Sequence, residues 1–458
     1  MKKNQIKLPQ KIVIAQGPTF DINEPKCWGP FQFPRAYVLD NGTISCSLYN
    51  AQETEFGTKR IYFISNDNGQ SWQKADTNIE EKCGVILPNG DRLFEPEEPG
   101  VVVEDDFIPW GYFGSSILPG QEPESGNFYK GPPRKLSGWG ESWTESSKLP
   151  RPYSISYNQY GEQVRLYLHQ TLPEGLIKKA FPFYRTKKGE SKPVKEYSPL
   201  LDWNYYFANC VFNNGKVVFA PTSATGRLRV APDGSLWIAT SSYNKLAINP
   251  TNGAVIPSLV SFFLRSDDNG KSFRLMSFLE HIRDSSLEPS LSAGFLEPDI
   301  AFMPDGSMFA LMRTVEPCSM NTLEFAPLYC ARSVDGGKTW SKPKIFATSG
   351  VLPKLCTLKC GTTIAAYARM GTYIRTTNDP SGQIWDDPIE ILPNTDRAYL
   401  ANNPHKAQFT QEYSGSCCNV DLIAISDNEA MLFYTDFYYP DKDGVKRKTL
   451  FAQKIIVE

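Results

Sequence analysis

Alternating apolar and polar positions recur along most of the chain, and each run follows a tight turn. The turns contain Gly, Asn or Asp, which supply the positive φ angles that a hairpin turn needs. The run behind each turn has the period of two that is typical of a half-buried β-strand. The pattern therefore predicts repeated hairpins, in the segments LDNGTISCSLY (39–49), APDGSLWIAT (231–240), MPDGSMFALM (303–312), LKCGTTIAAYA (358–368) and ISDNEAMLFY (425–434).

A second motif, Ser-x-Asp-x-Gly-x-x-Trp, alternates with the hairpins. Asp and Gly favour a tight turn, and the aromatic residue that ends the motif is suited to packing between strands. These turns indicate a fold and carry no mechanism of their own. Two copies are complete and three are altered: SNDNGQSW (65–72), SVDGGKTW (333–340), SDDNGKSF (266–273), TNDPSGQIW (377–385) and the half-copy GESW (140–143).

The spacing of the motif predicts the architecture. Successive aromatic ends are separated by 71, 130, 67 and 45 residues. Since 130 is twice 65, we expect one decayed copy near residue 205, in LDWNYY, and six slots in total. Each unit then holds a hairpin, a third strand, an Asp-containing turn and a fourth strand, which is what a radial β-sheet blade requires. The predicted fold is all-β, a six-bladed β-propeller with long inserted loops.

The turns resemble the Asp boxes of the sialidase superfamily, over roughly residues 30–108 and 225–440. The resemblance implies a six-bladed propeller, but Asp boxes also occur in propellers that are not enzymes. We expect one domain over residues 1–458, with a loop-rich insertion at about 109–225, where Pro, Gly and charged residues concentrate and the hairpin pattern stops.

Composition narrows the partners. The chain has 458 residues, with 48 basic and 50 acidic side chains, so we expect neither nucleic acid nor a membrane surface as a partner. The ten Cys have no framework spacing and the apolar stretch IVIA near the start is too short for a signal peptide, which favours a cytoplasmic location. The three scattered His argue against a zinc site, and nothing requires a metal or cofactor. The expected partner is an oligosaccharide.

The resemblance implies roles for individual residues. Sialidases use a Tyr nucleophile activated by a Glu, an acidic Asp, and three Arg that bind the sugar carboxylate. The segment EPDIAFMPDGSMFALMR places Glu297 at the activating Glu and Arg313 at the second Arg. In AYARMGTYIRTT, Arg369 matches the third Arg, with Arg375 as a weaker choice.

The chain departs from the family at the other positions. Counting back from the first hairpin turn places Gln32 where the first Arg should be. Arg35 lies three residues later, on the opposite face of a regular strand, and could serve in its place if the strand is irregular there. The position of the Tyr nucleophile is occupied by Asn419, and the nearest Tyr, Tyr413, is six residues early. The usual acidic Asp is replaced by Glu53 or Glu55.

These departures favour a sugar without an anomeric carboxylate, cleaved by two ordinary carboxylates. The predicted function is an exo-acting glycoside hydrolase that removes a terminal sugar. The alternatives are a true exo-α-sialidase, in which Arg35 and an unaligned Tyr would serve, a carbohydrate-binding propeller without catalysis, and, less favoured, a polysaccharide lyase. The candidate partners of Glu297 are carboxylates, some of them in the acidic run LFEPEEPGVVVEDD, which could equally be a solvated loop: Glu53, Glu55, Glu97, Glu98 and Asp421.

Overall fold

The structure is a computed structural model, and the regular secondary structure that it describes is almost entirely β-strand. Among the described residues there is no α-helix, and hence no helix of the length and hydropathy that a membrane span needs. The described residues are 5–17, 31–49, 60–76, 79, 82–95, 101–102, 112–115, 134–135, 141–142, 154–157, 163–166, 181–201, 209–213, 216–220, 227–248, 255–280, 294–314, 327–368, 371–393 and 419–458.

The first sheet shows the order that the repeat predicts. Two strands near the start of the chain, β1 (Ile6–Lys7) and β2 (Ile12–Gln16), precede it and pair elsewhere. Its four strands are antiparallel and follow chain order: β3 (Gln32–Val38), β4 (Ile44–Tyr49), β5 (Arg60–Ser65) and β6 (Gln73–Ala75).

The second sheet is interrupted by a long excursion between its second and third strands. It contains β7 (Val85–Ile86), β8 (Arg92–Phe94), β15 (Phe181–Thr186) and β16 (Val194–Ser198). Between β8 and β15 the structure places β9 (Val101–Val102), β10 (Tyr112–Ser115), β11 (Arg134–Lys135), β12 (Glu141–Ser142), β13 (Ser154–Tyr157) and β14 (Gln163–Leu166).

The Asp-box slot of the second sheet is therefore the turn between β15 and β16. It is closed by the N–H of Glu190, which donates to the carbonyl of Lys187, and it lacks the motif residues. The half-copy at 140–143 overlaps β12 and is not that slot, and most of LDWNYY lies outside the described residues. The even spacing misled because the excursion falls inside a blade.

The third sheet has five strands. The chain reaches it through β17 (Leu200–Leu201), which pairs in parallel with the last strand of this sheet, and through β18 (Asn209–Asn213) and β19 (Lys216–Ala220), which form a small sheet with β9. Its antiparallel strands are β20 (Leu228–Val230), β21 (Leu236–Ile248), β22 (Val255–Ser266) and β23 (Phe273–Glu280).

The fourth and fifth sheets return to the simple order. The fourth contains β24 (Phe295–Phe302), β25 (Met308–Thr314), β26 (Leu328–Ser333) and β27 (Lys344–Ala347). The fifth contains β28 (Val351–Thr357), β29 (Thr363–Ala368), β30 (Thr372–Thr377) and β31 (Ile389–Leu392).

The sixth sheet joins the two ends of the chain. It contains β32 (Val420–Ala424), β33 (Glu429–Pro440) and β34 (Lys446–Val457), and both β1 and β2 pair with β34. The first strands therefore complete the last sheet. Six sheets of four or more strands confirm the predicted all-β, six-bladed propeller class.

The residues group into two compact units. The first unit is Met1–Val85, Pro298–Arg313 and Leu323–Glu458, and the second is Ile86–Glu297 and Thr314–Thr322. The single-domain assignment with an insertion at 109–225 stays a prediction. Each unit has an apolar interior: Leu311 and Leu355 lie in one cluster of the first unit, and Phe183 stacks on Phe273 in the second.

The Asp boxes hold their turns in the way the motif predicts. In the first box, Asp67 accepts hydrogen bonds from the N–H and hydroxyl of Ser71, while Ser65 donates to Asp67 and accepts the N–H of Gly69. Gly69 has φ +83°, which a side chain disfavours. The hydrogen bonds from Ser71 lower the pKa of Asp67 to about 2. The boxes at Asp268, Asp335 and Asp379 repeat the pattern of side-chain and backbone donors to the carboxylate.

Candidate functional site

Most of the predicted site residues belong to the same end of their own sheets. At this end the first strand of a sheet begins, the second ends and the third begins. Gln32 begins β3, and Asn419 directly precedes β32. Arg313 lies near the end of β25, opposite Leu328, which begins β26. Because the blades repeat, these residues occupy the same end of their sheets although they are far apart in sequence.

A β-bulge in β3 changes the expected orientation of Arg35. Gln32 lies opposite Tyr49, and Arg35 lies opposite Ser47, so three steps on β3 correspond to two on β4. Residues two apart on β4 point to the same face, and Gln32 and Arg35 therefore share that face. The opposite face was expected for a regular strand, and the bulge makes β3 irregular here, which is the alternative under which Arg35 could serve.

Arg60 is a residue of this site that the sequence analysis missed. It begins β5 directly opposite Tyr49, and its guanidinium carbon lies 4.2 Å from the centre of the Tyr49 ring. Its Nη1 donates to the carbonyl of Phe33 (2.9 Å) and to Oγ of Ser47 (3.1 Å), and Arg60 is buried. The side chain thus holds the bulge. An Arg as the first residue of an otherwise apolar strand was the available signal.

Three first strands carry the same backbone feature. Phe33, Glu297 and Leu352 have φ values of +56°, +50° and +43°, and each precedes a proline. A non-glycine residue rarely adopts positive φ, and such positions cluster at functional sites. In β28, as in β3, the pairing register shifts across this position. The repeat thus places a strained residue at the start of several blades, and Glu297 is the one among them with an ionisable side chain.

Glu297 lies within the second unit as the third residue of β24. Its side chain is partly exposed. Its N–H donates a long hydrogen bond (3.4 Å) to Oγ of Ser241, which lies 56 residues earlier in the chain. A partly exposed carboxylate on a conformationally fixed backbone can accept a proton at a defined position.

Asp421 ties two sheets of the first unit together. Its Oδ2 accepts the N–H of Ala36 at 2.6 Å, and Asp421 is buried. Asp299 makes the equivalent contact, since its Oδ2 accepts the N–H of Leu355 at 2.8 Å. In both cases a carboxylate of one first strand holds the backbone of the next sheet's first strand. This geometry gives Asp421 a structural task, and its predicted catalytic role stays a prediction.

Other predicted residues lie outside the described part of the chain: Glu53, Glu55, Glu97, Glu98, Arg369 and Tyr413. Arg375, the weaker alternative to Arg369, is engaged elsewhere. Its guanidinium donates to the carbonyls of Phe346 and Asp386 and lies over the Phe346 ring, at 4.6 Å from the ring centre. In the described residues, His, Cys, Asp and Glu form no group of three or more that could hold a metal ion.

Comparisons with known proteins agree with the architecture. The model of the BNR/Asp-box repeat matches residues 63–74, which include the first box. No curated protein matches the chain. A crystal structure of a protein of unknown function from Dyadobacter fermentans is 13% identical, with coverage of 99% of both chains and a TM-score of 0.56.

Two glycosidase structures are also similar. The NanB sialidase from Streptococcus pneumoniae is 11% identical over 98% of this chain and 70% of that chain, with a TM-score of 0.45. An α-L-arabinofuranosidase from Fusarium graminearum is 10% identical over 97% and 98% of the two chains, with a TM-score of 0.44. At these identities and TM-scores, the two similarities do not indicate the activity of this chain.

Repeated Asp-box turns, six blade sheets and the repeat-model match define a class. The chain is an Asp-box β-propeller, and the predicted resemblance of its turns to Asp boxes is confirmed.

Proposed function

We propose that this protein is an exo-acting glycoside hydrolase that removes a terminal sugar from an oligosaccharide, with Glu297 as a catalytic carboxylate. The observation that carries the proposal is the strained backbone at Glu297, φ +50° before a proline, which presents a partly exposed carboxylate at the start of a first strand. Strain of this kind persists where the surrounding structure enforces it, and it is a feature of pre-organised sites.

The proposed mechanism also needs a second carboxylate, as the partner of Glu297. Asp299 and Asp421 are buried and accept backbone N–H groups, so they are poor donors of protons to a ligand. Glu53 and Glu97 stay the predicted partners, and they follow the ends of β4 and β8 in sequence. Two carboxylates on either side of a glycosidic bond suffice for hydrolysis.

A second candidate function is carbohydrate binding without catalysis. It is favoured by the burial of Asp299 and Asp421, because neither of them offers Glu297 an exposed second carboxylate. A true exo-α-sialidase is a third reading, and the bulge favours it to the extent that Arg35 shares the face of Gln32.

The proposal is tested by the release of fluorophore from aryl glycosides: a sialoside, uronides, and neutral pyranosides and furanosides. The Glu297→Gln variant should lose activity by about 100-fold or more. Glu190→Gln, at an exposed turn between β15 and β16, is the matched control and should keep it. Release from the sialoside alone would support the sialidase reading. No release from any glycoside would contradict the proposal and favour a binding propeller. Release unchanged by Glu297→Gln would overturn the catalytic role of Glu297 and assign hydrolysis to other residues.

A further inference from the structure

The hairpin formed by β33 and β34 projects beyond the end of the sheets at which the candidate site residues lie. In the first sheet, β4 ends at Tyr49, ten residues after Leu39 of its hairpin turn. The same count from Ile425 reaches Thr435, but β33 continues to Pro440. Five residues of strand span about 16 Å, so the hairpin rises well past the level at which its sheet would otherwise end.

Two sets of hydrogen bonds fix the projecting hairpin. At its base β33 has a bulge, where Oδ1 of Asp436 accepts the N–H of Tyr438 at 2.9 Å. At its tip, Oδ1 of Asp441 accepts the N–H of Val445 at 2.9 Å. Oδ2 of Asp441 accepts a hydrogen bond of 2.6 Å from Nε of Arg447. The side chains of the hairpin are therefore presented on an ordered backbone, and a ligand that binds them has little backbone entropy to remove.

The two faces of the hairpin carry different side chains. Tyr439 lies opposite Arg447, and its ring packs 4.9 Å from that of Phe451 against the cluster shared with the fifth sheet. Neighbouring residues of a strand point to opposite faces, so Tyr438 and Lys446 share the other face. Nζ of Lys446 lies over the Tyr438 ring, 5.4 Å from its centre.

The face that carries Lys446 is turned towards the first sheet. Leu450, four residues further along β34, points to the same face and packs in a cluster with Ile44 of β4. Lys448 lies between the two and is only 3% exposed, with Nζ 4.8 Å from the centre of the Phe437 ring. This face therefore rises on the side of the sixth sheet where the first sheet begins.

Charge is divided between the two faces. Asp436 lies opposite Thr449, and Asp441 forms an ion pair with Arg447, and both of these partners point away from the first sheet. Within the hairpin, which the structure describes throughout, the carboxylates thus belong to the far face or to the tip. The face turned towards the first sheet carries two ammonium groups and the partly exposed ring of Tyr438.

An aromatic ring beside an exposed ammonium group suits a sugar that carries a carboxylate. The C–H groups of a pyranose ring can stack on the apolar face of a Tyr ring, whose hydroxyl stays in water. The ammonium group can donate a charge-assisted hydrogen bond to a carboxylate of the same sugar. A neutral sugar would use the ring alone.

We propose that Tyr438 and Lys446 form a binding position for an acidic sugar that is attached to the terminal sugar, on the leaving-group side of the cleaved bond. The inference rests on the proposed function, because an exo-acting enzyme encloses the terminal sugar and leaves the rest of the oligosaccharide at the rim of the site. It adds that the second sugar is preferred when it is a uronate.

Binding is measured by calorimetry in the Glu297→Gln background, so that turnover does not interfere. The probes are the neutral dimers galactobiose and mannobiose, the acidic dimers digalacturonic acid and dimannuronic acid, and the four corresponding monosaccharides. The quantity compared is the dimer gain, the Kd of the monosaccharide divided by that of its dimer, in which the contribution of the terminal sugar cancels. At least one acidic dimer should show a gain of about 10-fold or more, and a larger one than its neutral counterpart.

Four variants assign the gain to the hairpin. Tyr438→Ala should lower the gain of the acidic dimer by about 5-fold or more, whereas Tyr438→Phe keeps the ring and should preserve it. Lys446→Gln should lower the gain of the acidic dimer by about 2- to 5-fold and leave that of the neutral dimer unchanged. Tyr197→Ala is the matched control, because Tyr197 on β16 is 44% exposed and has Nζ of Lys195 over its ring at 5.6 Å. It should leave every gain unchanged.

The outcomes separate this inference from the proposed hydrolysis. An acidic-dimer gain that Tyr438→Ala and Lys446→Gln both lower supports the binding position, even when no aryl glycoside is cleaved. The inference is overturned when no acidic dimer binds more tightly than its monosaccharide, when the neutral dimers gain as much, or when Tyr438→Ala changes the gain no more than Tyr197→Ala does. Hydrolysis of an aryl glycoside that requires Glu297 would then leave the catalytic proposal standing alone.

Discussion

Replacement of Asp421 tests whether its carboxylate holds two neighbouring sheets together. Asp421→Ala removes the acceptor of the Ala36 N–H, which is donated to Oδ2 over 2.6 Å. Asp421→Asn keeps an oxygen at the same place but removes the charge. The two variants therefore separate the loss of the hydrogen bond from the loss of the negative charge.

The change in the free energy of unfolding follows from the hydrogen bond that is lost. A hydrogen bond to a charged group contributes about 1.5–3 kcal/mol, and a buried donor left without an acceptor costs about 1–3 kcal/mol. Because the two effects overlap, we expect Asp421→Ala to lower the free energy of unfolding by about 3 kcal/mol. Asp421→Asn retains a weaker, neutral acceptor and should lower it by about 1 kcal/mol.

The assay is urea unfolding followed by tryptophan fluorescence, alongside turnover of whichever aryl glycoside is active. Asp299→Ala serves as the matched variant, because Asp299 makes the equivalent contact to Leu355. The two Ala variants should be destabilised to a similar extent. An unchanged urea midpoint in Asp421→Ala would refute the reasoning. Turnover abolished in Asp421→Asn at full stability would instead assign Asp421 to catalysis.

Three further predictions each concern the replacement of one residue. The hydrogen bonds from Ser71 lower the pKa of Asp67 to about 2, so the stabilisation by its carboxylate is present above the unfolded pKa and lost as pH falls towards 2. The thermal midpoint of Asp67→Asn should therefore change less between about pH 4 and pH 2 than that of the parent chain, and an equal change would contradict this. Glu297→Gly should be more stable than Glu297→Ala by about 1 kcal/mol in thermal unfolding, because glycine adopts φ +50° without strain. A less stable Gly variant would contradict the strain. Arg60→Met should lower stability by about 2 kcal/mol through the lost hydrogen bond to Phe33, measured by thermal unfolding; no change would show that Arg60 does not hold the bulge.

The sequence predicted the fold from local rules. The hairpin turns and Asp boxes depend on residues within a few positions of one another, as in the contacts of Asp67 with Ser65 and Ser71. Such signals are readable without the tertiary structure. The count of six blades was also correct. The half-copy at 140–143 is not an Asp-box slot, because it lies in the excursion between β8 and β15 that splits the second sheet.

The candidate site was predictable in part. Counting from the hairpin turns placed Gln32, Arg313 and Asn419 at the start or end of strands, where the structure has them. Glu297 was likewise placed at the start of a first strand. These positions follow from the repeat alone. The chemical partners of Glu297 did not follow, since they depend on connections between strands and not on the strands themselves.

The sequence by itself determined the elements that repeat: tight turns, alternating strands and the level at which the candidate residues begin or end them. Tertiary structure alone decided which groups those residues meet. The bulge that turns Arg35 towards the face of Gln32 and the contact of Asp421 with Ala36 both arise between strands distant in sequence. Local propensity cannot encode them, because each depends on which backbone or side chain the packing of neighbouring sheets brings within hydrogen-bond distance.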